Sequence, residues 1–165
     1  MTEAKSPFAL ADACSSALAS ADQPRATFVA VADALQSLIG HKVFTVLRLN
    51  AAGLRSRRLF STLAAYPPGA LKDHRRGAWH DRVIGAGEPF VAPTLEAVRA
   101  SFPDHAGIEA AGCGSIIALP VRWDGRMLAT VNVWHVSGHY DDGAARRAWP
   151  LTVLLVPACL TLPSP

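Results

Sequence analysis

Apolar residues recur at a helical period through the opening stretch of the chain. Phe8 to Ser20 is rich in alanine and leucine and predicts a helix, with residues 1–7 a frayed start. Asp22 is placed to cap a second helix that carries Pro24 near its first turn. Along that helix Phe28, Val31, Leu35, Leu38 and Ile39 share one face, and Gly40 supplies a stop. The period then drops to two. Val43 to Leu49 is apolar and β-branched, with Thr45 and Arg48 interposed, and predicts a strand. Asn50-Ala51-Ala52-Gly53 turns the chain, and Arg57 to Thr62 predicts the returning strand, ended by Tyr66-Pro67-Pro68-Gly69.

Residues 70–112 are the least regular stretch. Ala78 to Gly85 predicts a short helix, Glu88 to Ala92 a short strand, Thr94 to Ser101 a helix capped by Thr94, and Ile108 to Ala111 a further helical turn. A long run of small elements between strands commonly carries a binding site. Ser115 to Trp123 and Arg126 to His135 are the clearest strands, joined at Asp124-Gly125, a strong two-residue hairpin signal. Asp141 to Trp149 and then Leu151 to Leu162 predict a closing helix interrupted at Pro150.

The hairpin predicts which side chains share a face, because a two-residue turn sets register. Pairing Trp123 with Arg126 puts Val121 opposite Leu128, Leu119 opposite Thr130, Ile117 opposite Asn132 and Ser115 opposite Trp134. That face is mixed, whereas Ile116, Ala118, Ala129, Val131 and Val133 form a small apolar face suited to packing helices. A buried polar group without a partner costs about 1–3 kcal/mol, so Asn132 in mid-strand bonds either the covering segment or a ligand. An apolar concavity with a few convergent polar groups is what a small-molecule site looks like.

Composition narrows the setting. The chain has 165 residues, half hydrophobic and 18% charged, which fits one globular domain over residues 1–165. The net charge of +3 comes largely from two short clusters, Arg55-Ser56-Arg57-Arg58 and Lys72-Asp73-His74-Arg75-Arg76. They fall short of the long basic stripe of a nucleic-acid binder and read as solvated edges or contacts to an anionic ligand. Three widely spaced cysteines, Cys14, Cys113 and Cys159, with no leader-like run before them, imply reduced thiols and a cytoplasmic setting. The longest apolar stretch, Leu151 to Leu162, is too short to span a bilayer.

Several residues could carry chemistry. Cys113 lies between Gly112 and Gly114, Asp104-His105 sits in the adjoining loop, and a cysteine, histidine and aspartate together could form a thiolate nucleophile. The plainer reading of Cys113 is a small buried hydrophobe, since no spacing in the sequence fixes the three groups together. His135 and His139 are four apart, but on a strand end and turn that spacing gives no shared face for a metal; His80 and His105 are further candidates to converge with them. Tyr66, Trp79, Phe90 and Trp134 could stack on a planar ligand or simply fill the core, and Arg58 could pair with a carboxylate or phosphate.

The stretch Cys113 to Val121 (CGSIIALPV), then Asp124-Gly125, then Leu128 to His135 (LATVNVWH) resembles the final strand pair of a GAF domain, and Arg82 to Val91 (RVIGAGEPFV) resembles that family's helix-to-strand step. The resemblance covers roughly residues 24–160. It implies an α+β fold: a central antiparallel sheet of five or six strands, the terminal helices on one face, and the irregular segment over a ligand pocket on the other. With the face assignment it gives a ligand-binding set of Tyr66, Trp79, Phe90, His105, Cys113, Ser115, Thr130, Asn132 and Trp134. The Cys-His dipeptide of bilin-binding members is absent, as is the Asn-Lys-x-x-x-Phe-x-x-x-Asp-Glu pattern of cyclic-nucleotide members. In the methionine sulfoxide reductase branch the catalytic cysteine lies farther ahead of the Leu-Pro strand than Cys113 lies ahead of Leu119-Pro120. The expected function is a small-molecule sensor or accessory domain with no attached output domain and no named cofactor. It would act through a partner protein or as a homodimer through the terminal-helix stripes (Phe28, Val31, Leu35; Leu151, Leu154, Leu155). A small enzyme using Cys113 with His105, and a purely structural dimerisation module, are the alternatives.

Overall fold

A computed structural model describes residues 6–165. Ser6 opens helix α1 (Pro7–Leu18): its hydroxyl accepts the Ala9 N–H at 3.2 Å, and Pro7 occupies a first-turn position where no N–H is needed. The frayed start is therefore corrected at Ser6 and Pro7, while residues 1–5 lie outside the described residues. Helix α2 (Arg25–Ile39) also starts differently from expectation. Pro24 takes the cap position, and Asp22 contributes its backbone carbonyl, which accepts the Ala26 N–H at 2.7 Å, rather than its side chain. Gly40 ends the helix at φ 69°, a conformation that favours glycine.

Six strands follow: β1 (Val43–Leu49), β2 (Arg55–Ser61), β3 (Leu71–Asp73), β4 (Phe90–Ala92), β5 (Ser115–Trp123) and β6 (Arg126–His135). They form one antiparallel sheet in the order β3-β2-β1-β6-β5-β4. The fold is α+β, as the resemblance implies. β3 falls in the stretch read as irregular, since three residues paired to Arg55–Arg57 are too few to show alternation.

One face is covered by α1, α2, α5 (Asp142–Ala148), a 3-10 segment (Trp149–Leu155) and α6 (Val156–Thr161). Phe44, Val46, Ile117, Leu119, Val121, Val131 and Val133 meet these helices in the main core. Phe28, Val31, Leu35, Leu151 and Leu155 are buried in that same core. Burying each large apolar side chain contributes about 1.5–3 kcal/mol. The stripe expected to form a dimer interface therefore covers the chain's own sheet and is not available to a partner.

The opposite face is covered by the 66–110 stretch, which includes a π-helical turn (His80–Gly85), α3 (Leu95–Ser101) and α4 (His105–Ala110). Asp124 (φ 51°) and Gly125 (φ 70°) make the expected two-residue turn, and Trp123 pairs with Arg126. One pair later the register slips. Arg122 opposes Met127, but Val121 opposes Ala129, leaving Leu128 as the extra residue of a bulge. Beyond it Pro120 opposes Thr130, Ala118 opposes Asn132, Ile116 opposes Trp134, and Ser115 opposes His135. The predicted β5 face is thus inverted: Ile117, Leu119 and Val121 point at the helices, while Ile116 and Ala118 join Trp134 beneath the covering segment. Asn132 and Trp134 keep their predicted side.

Candidate functional site

Between the sheet and its irregular cover lies a cleft of about 700 Å³. Strand alternation supplies its floor: Thr45 and Leu47 from β1, Arg58 from β2, Ile116 from β5, and Asn132 and Trp134 from β6. One wall is β3 and the chain through His80; the other is α3, the loop after it and α4. Lys72 reaches across from the first wall to Asp104 on the second at 2.7 Å, an ion pair that ties the two together.

The floor is polar at one point and aromatic around it. Asn132 is buried and donates from Nδ2 to Thr130 Oγ1 at 3.2 Å. Trp134 and Tyr66 meet edge to face, ring centroids 5.3 Å apart and nearly perpendicular. Tyr66 in turn lies under the Arg58 guanidinium, 4.9 Å from ring centroid to Cζ, and Arg58 Nη1 donates to the Pro67 carbonyl at 3.1 Å. Gly107 makes room for this arrangement, since a Cβ there would overlap the Tyr66 hydroxyl.

The β3 wall carries a stacked pair, His74 on Trp79, with centroids 4.8 Å apart. His74 Nε2 lies 2.8 Å from Ser56 Oγ. Burial, helped by the Lys72 ammonium, pulls the His74 pKa down to about 4, so the ring is neutral at physiological pH. His80 opens the π-helical turn, a local geometry often found at functional sites. It is 6% exposed, and neither ring nitrogen has a hydrogen-bond partner among the described residues; the Asp81 carboxylate is 3.7 Å away. Trp79 Nε1, Arg58 Nε and Asp104 Oδ1 are likewise buried and without a partner among the described residues.

Of the residues named from the sequence, Tyr66, Trp79, His105, Asn132 and Trp134 line this cleft. Phe90 stands outside it against Phe102, centroids 6.1 Å apart. Thr130 lies under Asn132 as its hydrogen-bond partner. Ser115 lies beyond the bulge-shifted register, where its hydroxyl accepts the Tyr140 N–H at 3.2 Å. Cys113 belongs to the apolar cluster behind the cleft, with Sγ 3.6 Å from the Ala111 carbonyl.

The structure does not assemble Cys113, His105 and Asp104. His105 Nδ1 is 3.0 Å from Glu109 Oε1, Asp104 holds Lys72, and no hydrogen bond joins either to Cys113 among the described residues. Burial pushes the Cys113 thiol up, against the weaker pull of Lys42, which is opposite to what a thiolate nucleophile needs. His135 and His139 stack face to face at 3.5 Å, His135 Nδ1 accepting the Val136 N–H and His139 Nε2 donating to the Ile39 carbonyl. His80 and His105 are in the cleft instead, and no group of three metal-ligating side chains converges among the described residues. No helix among those residues is long and apolar enough to cross a membrane.

Sequence reasoning missed Thr45, Leu47, Ile116 and the Lys72–Asp104 tie. Alternation along Val43–Leu49 carried the signal for the first two, since a threonine inside an apolar strand marks the face that is not plain core. No local signal links Lys72 to Asp104.

No family model matches the chain, and no curated protein matches it by sequence. Solved structures do. The GAF domain of a phosphoenolpyruvate-protein phosphotransferase from Coxiella burnetii superposes with a TM-score of 0.74 at 10% identity, covering 96% of this chain and 95% of that one. The nlh2 GAF domain of A. aeolicus, in an inactive state, gives 0.64 at 15% identity over 93% and 92%. The chromophore-binding domain of a Stigmatella aurantiaca phytochrome gives 0.62 at 14% identity, covering 95% of this chain and 60% of that longer one. Strand order, helix placement and these superpositions agree: this chain has the fold of a GAF domain.

Proposed function

We propose that this chain is a small-molecule-binding sensor domain whose ligand occupies the cleft between the sheet and the 66–110 segment. The observation that carries the reading is the cleft itself: about 700 Å³, floored by Asn132 and Trp134 and bordered by buried polar atoms that lack partners. That volume is in the range of small-molecule sites, in which convergent polar groups fix a ligand's orientation. Solved neighbours of the same fold include a chromophore-binding domain, which supports a ligand-holding use of it.

The cover is attached to the floor by contacts a ligand can change: Tyr66 on Trp134, Arg58 on Tyr66, Lys72 on Asp104. Occupancy then alters the covering segment, and the change passes to a partner protein or a second copy. Exposed Phe8, Val153 and Leu160 on the helical side are the apolar contacts such a partner would meet.

The test is a thermal-shift screen of metabolites, with native mass spectrometry of the freshly purified protein. A retained or stabilising ligand is expected, and Asn132→Leu together with Trp134→Ala should weaken it at least about tenfold. A screen in which nothing binds, or a ligand whose affinity ignores both substitutions, would overturn the assignment.

A further inference from the structure

The charges around the cleft do not balance. Arg58, Lys72, Arg75, Arg76 and Arg99 line it, against the carboxylates of Asp73 and Asp104. Lys72 is matched by Asp104 at 2.7 Å, and Arg99 grips Glu109 through two bonds of 2.6 and 2.9 Å. Asp73 is taken by Arg55 at 2.7 Å. Arg58, Arg75 and Arg76 have no carboxylate within ion-pair distance among the described residues.

Arg58 is the informative member, because it is half-buried in the floor while Arg75 and Arg76 are exposed at the mouth. Its guanidinium covers the Tyr66 ring, spends one donor on the Pro67 carbonyl, and leaves Nε buried with no partner. Burial lowers its pKa from the usual arginine value, yet an arginine remains charged throughout the physiological range. Tyr66 and then Asp104 favour its charged form, and Asp104, the carboxylate of the two, already has Oδ2 on Lys72. A desolvated cation is stable when it is paired and hydrogen-bonded, and Arg58 lacks a counter-ion.

The surroundings state the rest of the complement. Tyr66, Trp134, Phe102 and the His74–Trp79 stack are aromatic members of the cleft lining. Trp79 Nε1 is a further donor left unpartnered beside it. A planar donor fork next to aromatic walls suits a flat molecule that carries paired anionic oxygens.

We infer that the ligand is a planar ring bearing an anionic oxygen group, carboxylate or phosphate, and that Arg58 selects its charge; this rests on the cleft being the binding site proposed above. The experiment compares matched probes by calorimetry and ligand-observed NMR at low salt. Benzoate is set against benzamide for the carboxylate, and adenosine monophosphate against adenosine for the phosphate. In at least one pair the anion should bind about tenfold or more tighter than its neutral partner. Arg58→Gln should shrink that preference to within about threefold. Arg58→Lys, which keeps charge but loses the fork, should fall between and serves if the glutamine variant does not fold. Neutral and anionic probes binding equally in both pairs would overturn the inference, as would a preference that survives Arg58→Gln. If a neutral metabolite occupies the cleft and neither anion does, the inference fails and the proposed function stands. If nothing binds, both fail.

Discussion

Gly107 and Tyr66 show how closely the cover is fitted. Alanine at Gly107 would gain up to about 1 kcal/mol of helix propensity over glycine. Its Cβ would also overlap the Tyr66 hydroxyl, forcing the ring off Trp134 and off Arg58. Loss of an aromatic pair costs about 0.5–1.5 kcal/mol, so the two effects nearly cancel. Stability is then a poor readout and ring position a good one. Gly107→Ala is expected to leave the melting temperature little changed while shifting the tryptophan fluorescence and the Tyr66 ring resonances. Tyr66→Phe lacks the colliding oxygen, so the pair should show a coupling of about 1 kcal/mol in a double-mutant cycle. Strictly additive effects would mean that Tyr66 does not lie over Gly107.

Among the elements, the terminal helices and four long strands were legible because each repeats its pattern over several residues. The Asp124-Gly125 turn was legible because both positions need positive φ. The bulge at Leu128 was not, since Leu-Ala at that point reads as ordinary strand and nothing local marks the extra residue. That single residue reassigned β5 from Ser115 to Val121 and moved Ser115 away from the floor. The closing helix was partly legible. Pro150 marks the break, but the 3-10 segment it starts is held by tertiary bonds to the buried Pro120 carbonyl. Trp149 Nε1 donates to that carbonyl at 3.1 Å, and the single Thr152 hydroxyl proton is shared between it, at 3.3 Å, and the nearer Trp149 carbonyl at 2.8 Å. Trp149→Phe and Thr152→Val should each cost about 1 kcal/mol in urea denaturation. The double variant strands the carbonyl and should cost about 1–3 kcal/mol more than their sum. Additivity would show that Pro120 has another partner.

For the molecule as a whole, His74 links the cleft to acid stability. Its folded pKa of about 4 lies below the ordinary 6.5, so between those values the unfolded chain binds the proton and the folded one does not. The contribution is complete above pH 6.5 and is lost as pH falls toward 4. His41 and His135 are depressed in the same direction, chiefly by burial, so His74 carries part of the slope. His74→Gln should reduce the stability lost between about pH 7 and about pH 5 by about 1–2 kcal/mol, allowing for partial exposure. An unchanged slope in urea titrations would count against a buried neutral ring. The candidate site was legible to the same uneven degree. Alternation along β6 aimed Asn132 and Trp134 at the covering segment. The walls depend on partners such as Lys72 and Asp104, far apart in the chain, and on a strand of three residues. No local periodicity reports such contacts.

The Pro120 carbonyl has one more consequence. β4 pairs with β5 only over Ile116 to Ala118, so the outer rim of β5 beyond Ala118 has no neighbouring strand among the described residues. At Pro120 that rim has no amide hydrogen to offer, and the oxygen is already engaged by Trp149 and Thr152. An arriving chain finds neither half of a ladder rung there. A strand from another copy is therefore hindered at this stretch of margin, and a shared ladder would have to form at the true edges of the sheet, β3 or β4.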